Sequence, residues 1–479
     1  MIGRKVERQT LDYLLESKKA ELLAIIGRRR VGKTFLIREH YAQQLVFDFT
    51  GTQYADNKNQ LEKFAQKLAE YTGSALGVAT PKNWAEAFIQ LKTYLKALPK
   101  TAIKPVIFFD EFPWIAGRRS NFLDEFAYWW NVWASRQHMV VVICGSAASW
   151  MIDKVVNNKG GLHNRITEYM HLQPFTLKEV KAYVHTINQA LDEYQLLQLY
   201  MSIGGIPHYL QHIRRGESAA QIIDRLCFDK DGILRNEFNN LYHALFDKPD
   251  RHIAVIRALG SKWKGLTRNE IIKLTGLANG GSLTKILQEL LSSSFIMEIL
   301  PFGKKKRDIL YRLVDEYSLF YLTFIEGQRP GKKDIWLQTS QEQQYKIWRG
   351  YAFENICIKH VEAIKMALGI SGIQTEVSGF RSLGDEYTDG IQIDLLIDRA
   401  DRCINLCEIK FYNDEIALSK EESNKLRRRR TRFIELSKTK HTVFNTFIST
   451  YGLRQNQYSN AQVDQELSME TLFLLETFR

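Results

Sequence analysis

The chain has 479 residues, 45% hydrophobic and 25% charged, with a net charge of +12. This ordinary globular composition excludes a fibrous or disordered polymer, and the length accommodates roughly three domains. No run is long enough to cross a bilayer: the longest candidate, 139–152, is short and broken by Gly145 and Ser146.

The N-terminus carries no apolar signal core. Cys144, Cys227, Cys357, Cys403 and Cys407 lie mostly in apolar runs, without zinc-type spacing or a matching histidine cluster. A reduced, cytoplasmic protein with no membrane partner is therefore expected. The positive balance points either to a polyanionic partner or simply to a basic surface.

In chain order, the first unit expected is 1–180. Leu22 to Ile26 read as a buried strand, and Phe35, Leu36 and Ile37 open a helix. Between them, Gly27-Arg28-Arg29-Arg30-Val31-Gly32-Lys33-Thr34 is a complete G-x-x-x-x-G-K-[ST] phosphate loop in its required strand–loop–helix context. Gly27 and Gly32 let the backbone wrap a phosphate, and the N–H groups up to Phe35 point at it. Lys33 is expected to reach the β- and γ-phosphates of ATP, with the Thr34 hydroxyl on Mg²⁺. Arg28, Arg29 and Arg30 build the cradle with their backbone. Their side chains are expected to point outward, toward phosphate, a neighbouring subunit, nucleic acid or solvent.

The strand Val106-Ile107-Phe108-Phe109 ends at Asp110-Glu111. A buried parallel strand reads as a continuous apolar run, and its carboxyl end faces the ligand crevice. Asp110 is assigned to the Mg²⁺ shell and Glu111 to orienting or deprotonating the attacking water; the alternative is a solvated turn. A third strand, 139–144, ends at Gly145-Ser146. Ser146 is a candidate contact for the γ-phosphate or the water, with a helix N-cap as the competing role.

Taken together, Ile2-Gly3-Arg4 with Glu7, the 27–34 loop, Phe109-Asp110-Glu111-Phe112, Cys144-Gly145-Ser146, Leu172-Gln173-Pro174-Phe175 and Gly204-Gly205-Ile206-Pro207 resemble the archaeal-type ATPases. These are STAND-branch, AAA+-related P-loop NTPases that also occur in bacteria, and the motifs cover most of 1–325. The resemblance implies that Gly3 and Arg4 line the nucleotide near the adenine, and that Gly205 and Pro207 are contacts from a helical lid. The family often has Gly-Arg just before its Leu-x-Pro-Phe block. Here Asn164-Arg165 stands instead, so Arg165 is either a charge-stabilising arginine or a surface residue at a strand end.

Residues 181–245 are expected to form the helical lid. From 246 to 325 the pattern is that of a winged helix-turn-helix. Its helices would lie around 253–259, over 268–274 behind a Thr267 N-cap, and from 282 to 291; strands at 295–300 and 308–313 would flank a turn containing Lys304, Lys305, Lys306 and Arg307. The third helix should offer Ser282, Thr284, Lys285, Gln288 and Glu289 outward, a poor electrostatic reader. The basic turn suits phosphate contact better. Winged helices also bind protein, so both partners stay open.

In 326–479, strand 391–398 carries Asp394 and strand 403–411 carries Glu408 and Lys410, which share a face. Two carboxylates bind a hard divalent cation, and the lysine can position water. This hairpin resembles the PD-(D/E)XK nuclease superfamily, although Ile393 replaces the usual proline. The resemblance implies that Glu354, on an upstream helix, completes the metal site. A non-cleaving remnant that uses the same hairpin for binding is the alternative. Residues 420–440 hold nine Lys or Arg and three Glu, a helix able to follow a phosphate backbone or simply a solvated face.

The whole reads as an α/β protein: a P-loop NTPase parallel sheet with helical lid, then a winged helix, then a restriction-endonuclease-like α/β domain. The expected activity is an ATPase switch that uses ATP and Mg²⁺ and is coupled to nucleic acid, DNA before RNA, with nuclease action open and a homo-oligomer among the candidate assemblies. The alternative is a regulatory or scaffold ATPase with an inactive nuclease-like domain.

Overall fold

The computed structural model describes residues 1–74, 77–99, 103–117, 120–157, 160–328, 334–382 and 390–476. The chain divides into two compact units, Gly3–Gln173 and a second that begins at Pro174. The division falls where the backbone changes partners. Leu172 N–H still donates to Ile26 O (2.8 Å), whereas Phe175 N–H donates to Gly205 O (2.7 Å) and Phe175 O accepts from the Tyr200 hydroxyl (2.9 Å). Among the described residues, no helix is long and apolar enough to cross a membrane.

The first unit is built on five parallel strands, β1 (Glu21–Ile26), β2 (Leu45–Thr50), β3 (Val106–Asp110), β4 (Val140–Gly145) and β5 (Glu168–His171), in the order β2-β3-β4-β1-β5. Every residue of β1, β3 and β4 is buried, which is why these strands read as unbroken apolar runs. On one face an aromatic core includes Phe64, Trp84, Phe88, Phe109, Phe122 and Phe126, with the Trp84 and Phe122 rings edge-on at 4.7 Å. The register sets Ile26 beside Gly145 and Phe109 beside Ile143. The loops leaving β1, β4 and β3 therefore emerge side by side along one sheet edge.

The second unit gathers everything expected as lid, winged helix and nuclease-like domain. Helix Leu177–His185 starts at a reciprocal capping box of Thr176 and Glu179. After helix Glu193–Ile203, Gly205 comes so close to Phe175 that a Cβ would lie 2.0 Å from its carbonyl oxygen. Three helices follow (Pro249–Gly260, Arg268–Thr275 and Gly281–Ser292), with an antiparallel sheet of β6 (Leu266–Thr267), β7 (Ile296–Ile299) and β8 (Leu310–Leu313) in the order β6-β8-β7. Thr267 caps its helix in a box with Glu270.

Helix Gln343–Lys359 leads to a five-stranded mixed sheet of β9 (Thr375–Ser382), β10 (Ile391–Arg399), β11 (Cys403–Lys410), β12 (Thr442–Ser449) and β13 (Gln465–Leu467), in the order β13-β12-β11-β10-β9. Strands β9, β10 and β11 pair antiparallel, while β11, β12 and β13 pair parallel.

These pieces interlock. Leu177 N–H donates to Nε2 of the buried His360 (3.4 Å), whose Nδ1 lies 2.9 Å from Ile356 O. Asn355 Nδ2 donates to Leu313 O (3.1 Å). Phe302, at the start of the basic turn, donates its N–H to Gly379 O of β9 (2.8 Å) and sets its ring 5.5 Å from Phe433 of helix Lys420–Ser437. The turn that follows, with Lys304 to Arg307, is exposed.

Candidate functional sites

The edge where β1, β4 and β3 end carries the phosphate loop. Gly27 has φ +151°, and a Cβ there would lie 2.4 Å from Leu172 O, so no other residue fits. Gly32 (φ 92°) starts helix Lys33–His40. Lys33, 6% exposed, donates from Nζ to Gly27 O (2.7 Å) and Arg28 O (2.9 Å), which draws the loop around its ammonium. Thr34 Oγ1 donates to Asp110 Oδ2 (2.8 Å) at the end of β3. Glu111 has left-handed backbone (φ 46°), and its Oε2 accepts from both the hydroxyl (2.8 Å) and the backbone N–H (3.2 Å) of Ser146.

Arg4 lies beneath this loop, 4% exposed. It donates from Nη2 to Val31 O (2.9 Å) and pairs with Glu7 at 3.3 Å. Gly3, also left-handed (φ 67°), precedes it, and Phe35 of the loop helix is exposed. The arrangement fits a nucleoside triphosphate with magnesium: a Cβ at Gly27 would clash, the lysine's hydrogen-bond acceptors among the described residues are two neutral carbonyls, and one hydroxyl and one carboxylate meet. Magnesium is usually held by one or two protein oxygens plus phosphates.

One expectation for this edge is corrected, and for Ser146 and Arg165 one of two open readings is favoured. Arg28 does not point outward; it is 3% exposed. Arg29 is half-buried with its guanidinium 5.6 Å from the Trp114 ring centroid, a cation–π contact. Ser146 is not a helix N-cap: helix Ala148–Met151 begins behind Ala147 with no side-chain cap, because the Ser146 hydroxyl is taken by Glu111. Arg165 does not join the loop. It is exposed in the turn before β5, where Thr167 N–H pairs with Leu22 O near the start of β1. The phosphate loop leaves the other end of that strand, on the order of 15 Å along it.

Sequence reasoning missed His171 at the end of β5. Burial, and then the Lys33 ammonium, lower its pKa and keep the ring neutral beside the loop. Nothing in its spacing marks it.

Pro207 belongs to the second unit, where it opens the short helix Pro207–Leu210. That unit also holds the carboxylates expected to bind a second metal. Asp394 and Glu408 stand on neighbouring antiparallel strands, one step beyond the Leu395–Cys407 pair. A bulge in the β9–β10 pairing between Ile393 and Leu396 re-aims Asp394. Asp394 and Glu408 are each claimed by their own polar partners. Glu408 binds Arg429 through Oε2 and Lys410 through Oε1 (2.8 Å). Asp394 accepts from Gln392 (2.6 Å) and lies 4.0 Å from Lys264 Nζ. Glu354 faces Arg312 at 3.5 Å.

Burial would raise the pKa of Glu408, but Arg429 and Lys410 outweigh it and hold the group below its ordinary value. Glu354 goes the other way. Burial, then the charge of Asp394, push it up to about 7 despite Arg312, Lys264 and Lys410. Among the described residues, no three His, Cys, Asp or Glu side chains are grouped to hold a metal ion. Glu354, Asp394 and Glu408 are thus not brought together as one three-carboxylate group, and Glu408 is instead paired with Arg429 and Lys410.

Two further expected surfaces are altered by the same economy of charge. In the basic helix, Arg429 turns to Glu408 and Arg430 pairs with Asp464 at 3.0 Å, while Arg427 and Arg428 are exposed. On helix Gly281–Ser292, Glu289 does not face outward but meets His252 at 2.7 Å, and Arg251 donates to Ser282 (3.2 Å).

Comparison with known proteins bears chiefly on the part of the chain that carries the first of these sites. Residues 1–213 match the family described as the ATPase domain predominantly from Archaea. Over 398 residues the chain is 23% identical to an uncharacterized protein of Methanocaldococcus jannaschii, covering 82% of this chain and 83% of that protein. It is also similar in fold to a Walker-type ATPase of Pyrococcus abyssi, with a TM-score of 0.51 and 17% identity over 67% of this chain and 96% of that one. These likenesses support a P-loop ATPase domain of the archaeal type in the N-terminal part of the chain.

Proposed function

We propose that the protein is an ATP-binding and ATP-hydrolysing switch whose nucleotide state governs a nucleic-acid-binding C-terminal unit. The observation that carries this reading is the meeting of Lys33, Thr34, Asp110, Glu111 and Ser146 at one sheet edge. The chemistry supplied when ATP and Mg²⁺ bind is cleavage of the terminal phosphoanhydride by water. Lys33 neutralises phosphate charge, and Thr34 with Asp110 holds the metal. Glu111 takes the proton of the attacking water. Both Ser146 bonds engage Oε2, so Oε1 is the oxygen placed to accept it. Arg4 secures the loop through Val31 O.

The output rests on charge. The net charge is +12, the turn 304–307 is exposed on the winged-helix-like module, and Arg427 and Arg428 are exposed on the basic helix. DNA is the favoured partner. The hairpin that carries Asp394, Glu408 and Lys410 motivates the nuclease-like reading, but the pairing of Glu408 with Arg429 and Lys410 favours a binding role over cutting.

The test is twofold. ATP turnover should vanish in Lys33→Ala; unchanged turnover overturns the site. Plasmid incubated with Mg²⁺ or Mn²⁺ should be retained on the protein but stay intact in every nucleotide state. Nicking abolished by Lys410→Ala would restore the nuclease reading.

A further inference from the structure

Within the second unit a cavity of about 520 Å³ opens between the 249–313 module and the C-terminal sheet. Four of its lining residues are cations (Lys262, Lys264, Arg312 and Arg381) and two are acids (Glu270 and Asp394). Lys262 lies 3.6 Å from Glu270, and Lys264 lies 4.0 Å from Asp394. The positive excess therefore falls to the two arginines.

Arg312 is the unusual one. It is 2% exposed, and its Nε and Nη2 have no hydrogen-bond acceptor among the described residues. Its ionic neighbour Glu354 stands 3.5 Å away, longer than a charge-assisted hydrogen bond, and Glu354 Oε2 likewise has no hydrogen-bond partner. Buried guanidinium donors left without an acceptor are costly, and native proteins keep them where a ligand or water completes the set. An oxyanion in the cavity would supply what is missing.

The cavity also has an aromatic wall. Trp263 and Tyr351 both line it, with rings edge-on at 4.7 Å, and both are only half-buried. The Lys264 ammonium sits 5.5 Å from the Tyr351 ring centroid. Flat rings beside cations are the usual means of holding an unpaired base and its phosphate. The volume is that of a small-molecule site, enough for a nucleotide and not for a duplex.

We propose that this cavity binds a nucleoside phosphate unit, its base on Trp263 and Tyr351 and its phosphate on Arg312 and Lys264. The inference rests on the nucleic-acid reading above and gives it a seat. The same chemistry comes from two sources, an unpaired residue in a strand or a free mononucleotide.

The experiment uses the full chain with its phosphate-loop site saturated by ADP, a fluorescent short oligo(dT), the matching duplex, and AMP as competitor. Wild-type protein should bind oligo(dT). Trp263→Ala should weaken binding about tenfold, the loss of one stacked base. Lys264→Gln should lower the slope of log affinity against log salt by about one. Both sites are partly exposed, so thermal unfolding should stay near wild type. Arg312→Lys, which keeps the charge, should bind better than Arg312→Met. Competition by AMP identifies a free nucleotide as a source of the ligand; oligo(dT) binding that AMP does not displace identifies the strand. Oligo(dT) or AMP binding that is the same in Trp263→Ala, Lys264→Gln and wild type overturns the cavity assignment alone. Absence of all nucleic-acid binding overturns the reading beneath it, yet AMP binding lost in Trp263→Ala would still sustain the cavity.

Discussion

Two sets of acids in this molecule look alike in sequence and differ in what holds them. In the first unit Asp110 and Glu111 are held by the hydroxyls of Thr34 and Ser146. In the second, Glu408 is held by Arg429 and Lys410, and Glu354 is set against Arg312. A hydroxyl satisfies a carboxylate without bringing a counter-charge, which suits the metal-holding and proton-accepting roles proposed for this pair. At Glu408 the guanidinium neutralises the acid, and removing it from this largely buried pair leaves a stranded charge. The type of partner, rather than the spacing of the acids, separates the edge proposed as catalytic from the one proposed as structural.

The largest expected effect tests the first set. Lys33→Ala should cut ATP turnover by about 10³-fold or more while leaving the unfolding temperature nearly unchanged, measured by phosphate release and calorimetry. The second set should respond in stability instead. Arg429→Met is expected to destabilise the second unit by about 3 kcal/mol in denaturant titration, and the double variant Arg429→Met/Glu408→Leu should recover most of it. A double variant no more stable than the single one would mean that Glu408 is not held by this pair.

The third effect is a pH dependence. Glu354 titrates near 7 in the folded chain against an ordinary 4.5. Below 4.5 it is neutral in both states. As pH rises the unfolded chain ionises first, so folding stability falls by about 3 kcal/mol between 4.5 and 7 and then levels off. Glu354→Gln should flatten that part of the stability–pH curve. The smallest effect returns to the first site: Ser146→Ala should change turnover by about tenfold by freeing Glu111, with unfolding shifted by about 1 kcal/mol.

Much of the first site was legible because its chemistry is local. Eight consecutive residues from Gly27 make the cradle, and the buried strand ending at Asp110 announces itself by an unbroken apolar run. Even there, the Ser146–Glu111 bond is a product of strand order, since β4 lies between β1 and β3, and no local pattern reveals it. The helices of the 249–313 module were legible from their periodicity and the Thr267 cap. What stayed hidden was tertiary. Arg429 lies in a run of four arginines that reads as a solvated face, yet one helical turn of geometry aims it at an acid twenty-one positions earlier in the chain. His171 and Arg312 carry no motif at all.

Phe302 has a practical consequence. Its backbone bond to Gly379 and its ring against Phe433 root the basic turn in a sheet that begins more than seventy residues later. A fragment ending before that sheet would strip the turn of its anchor, with Phe302 facing water, and would also lose the Asn355 bond to Leu313. Dissecting this protein by truncation would thus report on a damaged piece; its parts are better questioned one side chain at a time, in the intact polypeptide.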